Sequence, residues 1–212
     1  MRRFTCLLSS VVILSNLTFN VANADIIDIT ATSFSQGSTS IDHMINGNPQ
    51  SVNAGMFNLE TSNTPAAFPW LTDGGNVDAF CVELEQNISF NALTEYDIVT
   101  GAAYFDVTTV DLVGQLFTSA FNSVTDQVDP NDQRVYSSAF QVALWEIVYD
   151  SGSLDLSNGI YKTDVMEDAD VMAQANTWLS NLGNAVSTFD IFVLKNDDSQ
   201  DLVIVNPKLA QQ

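Results

Sequence analysis

The stretch Asp129–Asp150, DPNDQRVYSSAFQVALWEIVYD, constrains the fold more than any other part of the chain. Asp129, Pro130 and Asp132 predict a helix start, with an oxygen cap, a proline at the first helical position and an acid at the positive end of the dipole. From Val135 onward, apolar residues fall on nearly every side of that helix: Val135, Tyr136, Ala139, Phe140, Val142, Ala143, Leu144, Trp145, Ile147 and Val148. A helix that is apolar all round is buried all round. Gln141 stands in its middle, a primary amide that must find partners in a dry interior.

The chain opens with a segment that reads as an address. Arg2 and Arg3 precede an apolar run from Leu7 to Leu17, and Ala22-Asn23-Ala24 offers the small residues that a signal peptidase reads. Residues 1–24 are therefore expected to be a secretory signal peptide, leaving 25–212 as a single domain. The 212 residues carry six basic and 26 acidic side chains, a formal net charge of −20. Loss of the signal removes two of the basic residues and none of the acidic ones. That excess argues against nucleic acid and anionic membrane as partners, and no membrane insertion is expected once the signal is gone. Cys6 leaves with the signal, so Cys81 remains as the one cysteine of an exported chain, where cysteines normally pair or are absent. It is a buried thiol, half of an intermolecular disulfide, or a group committed to something other than sulfur.

Along the chain, Asp25–Thr32 predicts an opening strand, and the Ser/Thr/Gly-rich span with Gly37, Gly47 and Pro49 predicts loops around short strands. Val52–Leu59 reads as a strand that Gly55 interrupts. Val77–Leu84 reads as another, with Cys81 on the face of Val77, Ala79 and Glu83, the less apolar one. Helical patterns follow at Asp111–Val124, at the organising stretch, and from a capping box of Asp164 and Glu167 to Leu182. Thr188–Leu194 and Leu202–Asn206 close the chain as strands. The expected class is α+β: a β-rich core, sandwich or barrel-like, with three helices inserted at about 109–183.

A lone cysteine on a strand and a buried glutamine on a helix suggest one chemistry. A cysteine sulfur can attack a held glutamine amide, expel ammonia and leave an internal thioester, given prepositioning, dryness and a polarised carbonyl. The segments FCVEL at Phe80–Leu84 and FQVALWEI at Phe140–Ile147 resemble the cysteine and glutamine motifs of bacterial thioester domains, found in surface adhesins. The resemblance implies that Cys81 and Gln141 form the thioester, with Phe80, Phe140, Ala143 and Trp145 around it at the strand–helix junction. It further implies a secreted or cell-surface adhesion protein that couples once to a protein or amine-bearing surface ligand, with no turnover and no cofactor. Where the family commonly places threonine before the glutamine, this chain has Phe140. The same blocks also resemble Gram-negative exported proteins of the PEP-CTERM sorting class, here without the sorting tail.

Two other readings fit the same residues. A non-covalent extracellular binding or matrix module would keep Cys81 as a buried free thiol. It could use Asp126, Asp129 and Asp132, or Asp197, Asp198 and Asp201, as oxygen ligands for calcium, although neither set matches an EF-hand loop. A Cys81–His43 nucleophile pair would make an enzyme, but His43 is the one histidine, sits in a Ser/Gly-rich stretch and reads as a surface residue. Trp145 and Trp178 lie on helical stripes and read as core; with Trp70 they would be the candidates for a sugar platform.

Overall fold

The computed structural model describes residues 25–163, 168–183 and 185–208. The expected signal peptide and the Asp164–Glu167 capping box lie outside them. In chain order the elements are β1 (Asp25–Ile45), β2 (Asn48–Ser62), β3 (Gly75–Cys81), β4 (Leu93–Thr100), α1 (Gly101–Tyr104), α2 (Val107–Thr125), α3 (Pro130–Asp150), β5 (Tyr161–Thr163), α4 (Ala169–Ser180), β6 (Phe189–Lys195) and β7 (Leu202–Pro207). The strands form a single sheet in the order β2-β3-β7-β6-β4-β1-β5, and every pairing is antiparallel. A further pairing of β2 with β1 joins the sheet to itself, so six strands close into a barrel. All four helices fall between β4 and β6. The α+β fold with a β-rich, barrel-like core and an inserted helical segment stands as read.

The span expected to hold loops is instead one long hairpin. Asn46 and Gly47 both adopt positive φ, 51° and 80°, which is the two-residue turn that an Asn-Gly pair favours between twisted strands. The register slips between Ala31 and Ser33 and again between Phe34 and Ser38, so β1 bends while remaining paired. Gly55 sits opposite the second slip, where a Cβ would come within 2.6 Å of the Gly37 carbonyl oxygen. Backbone must move to admit a methyl group there. Gly55→Ala is expected to destabilise the protein by about 2–3 kcal/mol in urea unfolding, as overpacking does.

The helix α3 lies in the centre. Its cap is as expected, with the Asp129 side chain accepting from the amides of Asn131 and Asp132. Every residue from Ser137 to Ile147 is buried. Polar residues on one side fasten the helix to the hairpin. Ser137 Oγ accepts from the Met56 amide at 2.7 Å and donates to the Gly37 carbonyl, while Ser138 donates to the Ala54 carbonyl at 2.9 Å. One turn earlier, Arg134 pairs with Asp168 at 2.7 Å and bonds Thr39. The helix α2 starts four residues earlier than its apolar stripe suggests, because Asp106 caps the amides of Thr108 and Thr109. No helix among the described residues is long and apolar enough to cross a membrane.

Candidate functional site

β3 ends at Cys81, three residues short of the expected limit at Leu84, and its last three residues are all buried. Cys81 is a core residue: its residue surface is 1% exposed, and Phe80 beside it is fully covered. Burial on both sides follows from position, because β7 flanks this end of the strand and α3 crosses it.

The β2–β3 ladder stops at the pair Phe57–Ala79. Alternation along an antiparallel strand turns the N–H and C=O of Cys81 to the side where β2 would continue, since Val82 already bonds the other way, its amide to the Asp201 carbonyl at 3.1 Å. The side chain of Gln141 takes the missing place. Its Oε1 accepts from the Cys81 amide at 2.8 Å, and its Nε2 donates to the Cys81 carbonyl at 2.8 Å. Gln141 is four residues beyond Ser137, so the same side of α3 serves β2 and then β3. The pair is 60 residues apart in sequence and meets inside the core.

The surroundings are dry and aromatic. Phe80 and Phe140, each immediately before one member of the pair, stack with centroids 4.4 Å apart, and Phe117 meets Phe140 edge-on at 4.9 Å. Ala143 and Trp145 are fully buried on the same helix. Burial pushes the Cys81 thiol well above its ordinary range, and the nearby Glu83 charge opposes the thiolate further. Sulfur here stays protonated unless its proton moves together with the bond it makes.

Beyond Cys81 the chain is strapped down by hydrogen bonds that the sequence reading did not foresee. Glu83 accepts from the Asp201 amide at 2.9 Å through its carboxylate and from Gln200 Nε2 through its carbonyl. Tyr104 donates to Asp201 at 2.7 Å. The Tyr149 hydroxyl accepts from the Leu84 amide at 2.9 Å and donates to Glu85 at 2.8 Å. Tyr149 lies eight residues past Gln141, two turns along the same side of α3, and that spacing was the available signal. Tyr149→Phe leaves the Leu84 amide without this partner. A loss of about 1–2 kcal/mol in chemical denaturation is expected.

The other candidates are placed elsewhere. His43 is a buried residue, not a surface one: it is 3% exposed, with Nδ1 3.4 Å from the Ile41 carbonyl and its ring against Trp145 and Tyr161. No hydrogen bond joins it to Cys81. Among the described residues, no group of three His, Cys, Asp or Glu side chains is arranged to hold a metal ion. Asp129 caps α3, Asp197 pairs with Lys195, and Asp201 accepts from Tyr104 and from the Asn196 amide. Trp145 and Trp178 are core residues, while Trp70 packs at the edge of the core against Phe68 and Phe192.

Comparison with solved structures aligns 90% of this chain with 97% of the N-terminal domain of the Streptococcus pyogenes pilus tip adhesin Cpa, at a TM-score of 0.51 and 14% sequence identity. The two chains share a fold. The pilus-presented adhesin Cpa in its P1 form also aligns, over 84% of this chain and 92% of that one, but a TM-score of 0.35 and 9% identity carry no argument. No family model matches the chain, and no curated protein matches it either.

Proposed function

We propose that Cys81 and Gln141 form an internal thioester, and that the protein is an exported bacterial surface adhesin which uses it once to couple covalently to a partner. The observation that carries this reading is the seat of the Gln141 amide on the Cys81 peptide, two hydrogen bonds of 2.8 Å inside a sealed core. The fold shared with an adhesin domain and the two motif blocks support it. The PEP-CTERM resemblance gains no support from the comparisons.

In the bond-forming step the Cys81 sulfur attacks the Gln141 carbonyl carbon. The Cys81 amide, already on Oε1, stabilises the negative charge that develops there. The C–S bond forms, the C–N bond breaks, and the thiol proton leaves with the nitrogen as ammonia. A primary amine on the partner then attacks the acyl carbon, making an amide and returning the thiol to Cys81. Gln141 ends bonded to the partner, so the protein is a reagent and not an enzyme. An intact-mass measurement, with and without methylamine, tests it.

One observation favours a second reading. The Gln141 amide satisfies both groups of the Cys81 peptide where the ladder breaks, which is sufficient reason for a buried glutamine. On that reading the module binds without covalent chemistry and its mass equals the sequence mass.

A further inference from the structure

A second polar cluster lies between β1, α3 and β5, and it stands apart from the chemistry of Cys81. The rings of His43, Trp145 and Tyr161 form a triangle, with centroids 6.2 Å apart for His43–Trp145, 5.8 Å for His43–Tyr161 and 6.1 Å for Trp145–Tyr161. Glu146 is the next residue along α3 and is close enough for its charge to act on the Tyr161 phenol. All four residues are buried. His43 Nε2, Trp145 Nε1, Glu146 Oε2 and the Tyr161 hydroxyl find no partner among the described residues. A single orphan of this kind is uncommon in a core, and four on neighbouring residues of one cluster point to a site.

The hydrogen-bonding inventory identifies the occupant. Trp145 can only donate. With Nδ1 turned to the Ile41 carbonyl, His43 Nε2 can only accept. Tyr161 can do either. Glu146 already accepts from the Asp155 amide through Oε1 at 2.6 Å, and as an acid it donates through Oε2. A water molecule accepts two hydrogen bonds and donates two, matching Trp145 and Glu146 as donors and His43 and Tyr161 as acceptors.

We propose that His43, Trp145, Glu146 and Tyr161 enclose an internal site for one ordered water, with Glu146 held as the neutral acid and His43 as the neutral base. The charged groups nearby agree. Glu146 faces Asp150 on its own helix and Asp155 from the following loop, both acidic, and burial with these neighbours raises its pKa from the ordinary 4.5 to about 7. Burial lowers that of His43, against a smaller opposing effect of Asp42. Lys162 lies between Tyr161 and Thr163, whose side chains are buried, and alternation along β5 turns it to the other face.

Folding therefore moves a proton from imidazole to carboxyl. In the unfolded chain between pH 4.5 and 6.5 the histidine is mostly charged and the glutamate mostly ionised; in the fold, burial favours the neutral form of each. The two linkages have opposite signs. Holding Glu146 protonated favours the fold at low pH and is lost as pH rises from about 4.5 to 7. Holding His43 neutral favours the fold above pH 6.5 and is lost as pH falls. Over their common window they oppose one another in the wild type.

The test compares unfolding equilibrium constants of wild type, Glu146→Gln and His43→Phe from pH 5 to 6.5. Dividing wild type by variant removes the contribution of every other group. The wild-type to Glu146→Gln ratio is expected to rise about tenfold per pH unit, and the wild-type to His43→Phe ratio to fall as pH rises. A pH-independent ratio for either folded variant overturns the proposal, since a merely structural role shifts stability equally at all pH. Should a variant not fold, carboxyl carbon NMR of the wild type decides: an ionised Glu146 at pH 6 overturns it. The water is read from the Trp145 indole N–H, expected to show a cross-peak to a long-lived water; a crystal structure with no solvent peak touching these four atoms overturns that part.

Discussion

The mature protein, residues 25–212, is expected to weigh one ammonia less than its sequence. The deficit should vanish in Cys81→Ala, and methylamine should replace it with a methylamide at Gln141 and a titratable thiol at Cys81. This is the largest qualitative effect, because each molecule either carries the bond or does not. The bond also closes a loop of 60 residues. On the chain-entropy model such a closure is worth about 4 kcal/mol, so methylamine-treated protein should unfold at markedly lower urea than untreated protein. A full-mass protein whose Cys81 reacts freely in denaturant would leave the second reading, an amide used only to finish a sheet.

The second large effect belongs to Gln141 whether or not the bond forms. Gln141→Ala, made in a Cys81→Ser background to remove all sulfur chemistry, strips the Cys81 N–H and C=O of their partner inside a sealed core. Orphaning each buried group costs about 1–3 kcal/mol, and the vacated side-chain volume adds to that. A loss of about 4 kcal/mol relative to Cys81→Ser is expected in chemical denaturation. A loss below 1 kcal/mol would mean that water reaches the Cys81 peptide, and the dry seat described above would be wrong.

The central helix was legible because its signals are local: a capping aspartate, a proline at the first position and an apolar residue at almost every place. The Cys81–Gln141 juxtaposition was legible only by joining two anomalies remote in sequence. The long hairpin was misread for a physical reason. Serines and threonines at Ser33–Ser40 have the composition of a loop, yet they sit on a bent, half-exposed ribbon that pairs with β2 on both sides of a bulge. The Asn46-Gly47 turn was in plain view and identifies the hairpin by itself. β4 was also present as alternation, with Tyr96 and Ile98 inward and Glu95 and Asp97 outward, but its flanking polar residues masked it. The burial of His43 could not be read from its neighbours in sequence, because what covers it comes from α3 and β5.

The amide that stands in for a missing strand also ranks the possible fates of the acyl group. On the thioester reading, the departure of ammonia takes from the Cys81 carbonyl the donor it has in Gln141 Nε2. Attack by a primary amine restores a nitrogen bearing hydrogen at that place, whereas attack by water deposits a carboxyl group in an oily enclosure with no cation to balance it. Conjugation therefore mends the interior and hydrolysis injures it, which makes a spent, unconjugated molecule the least durable form of the chain.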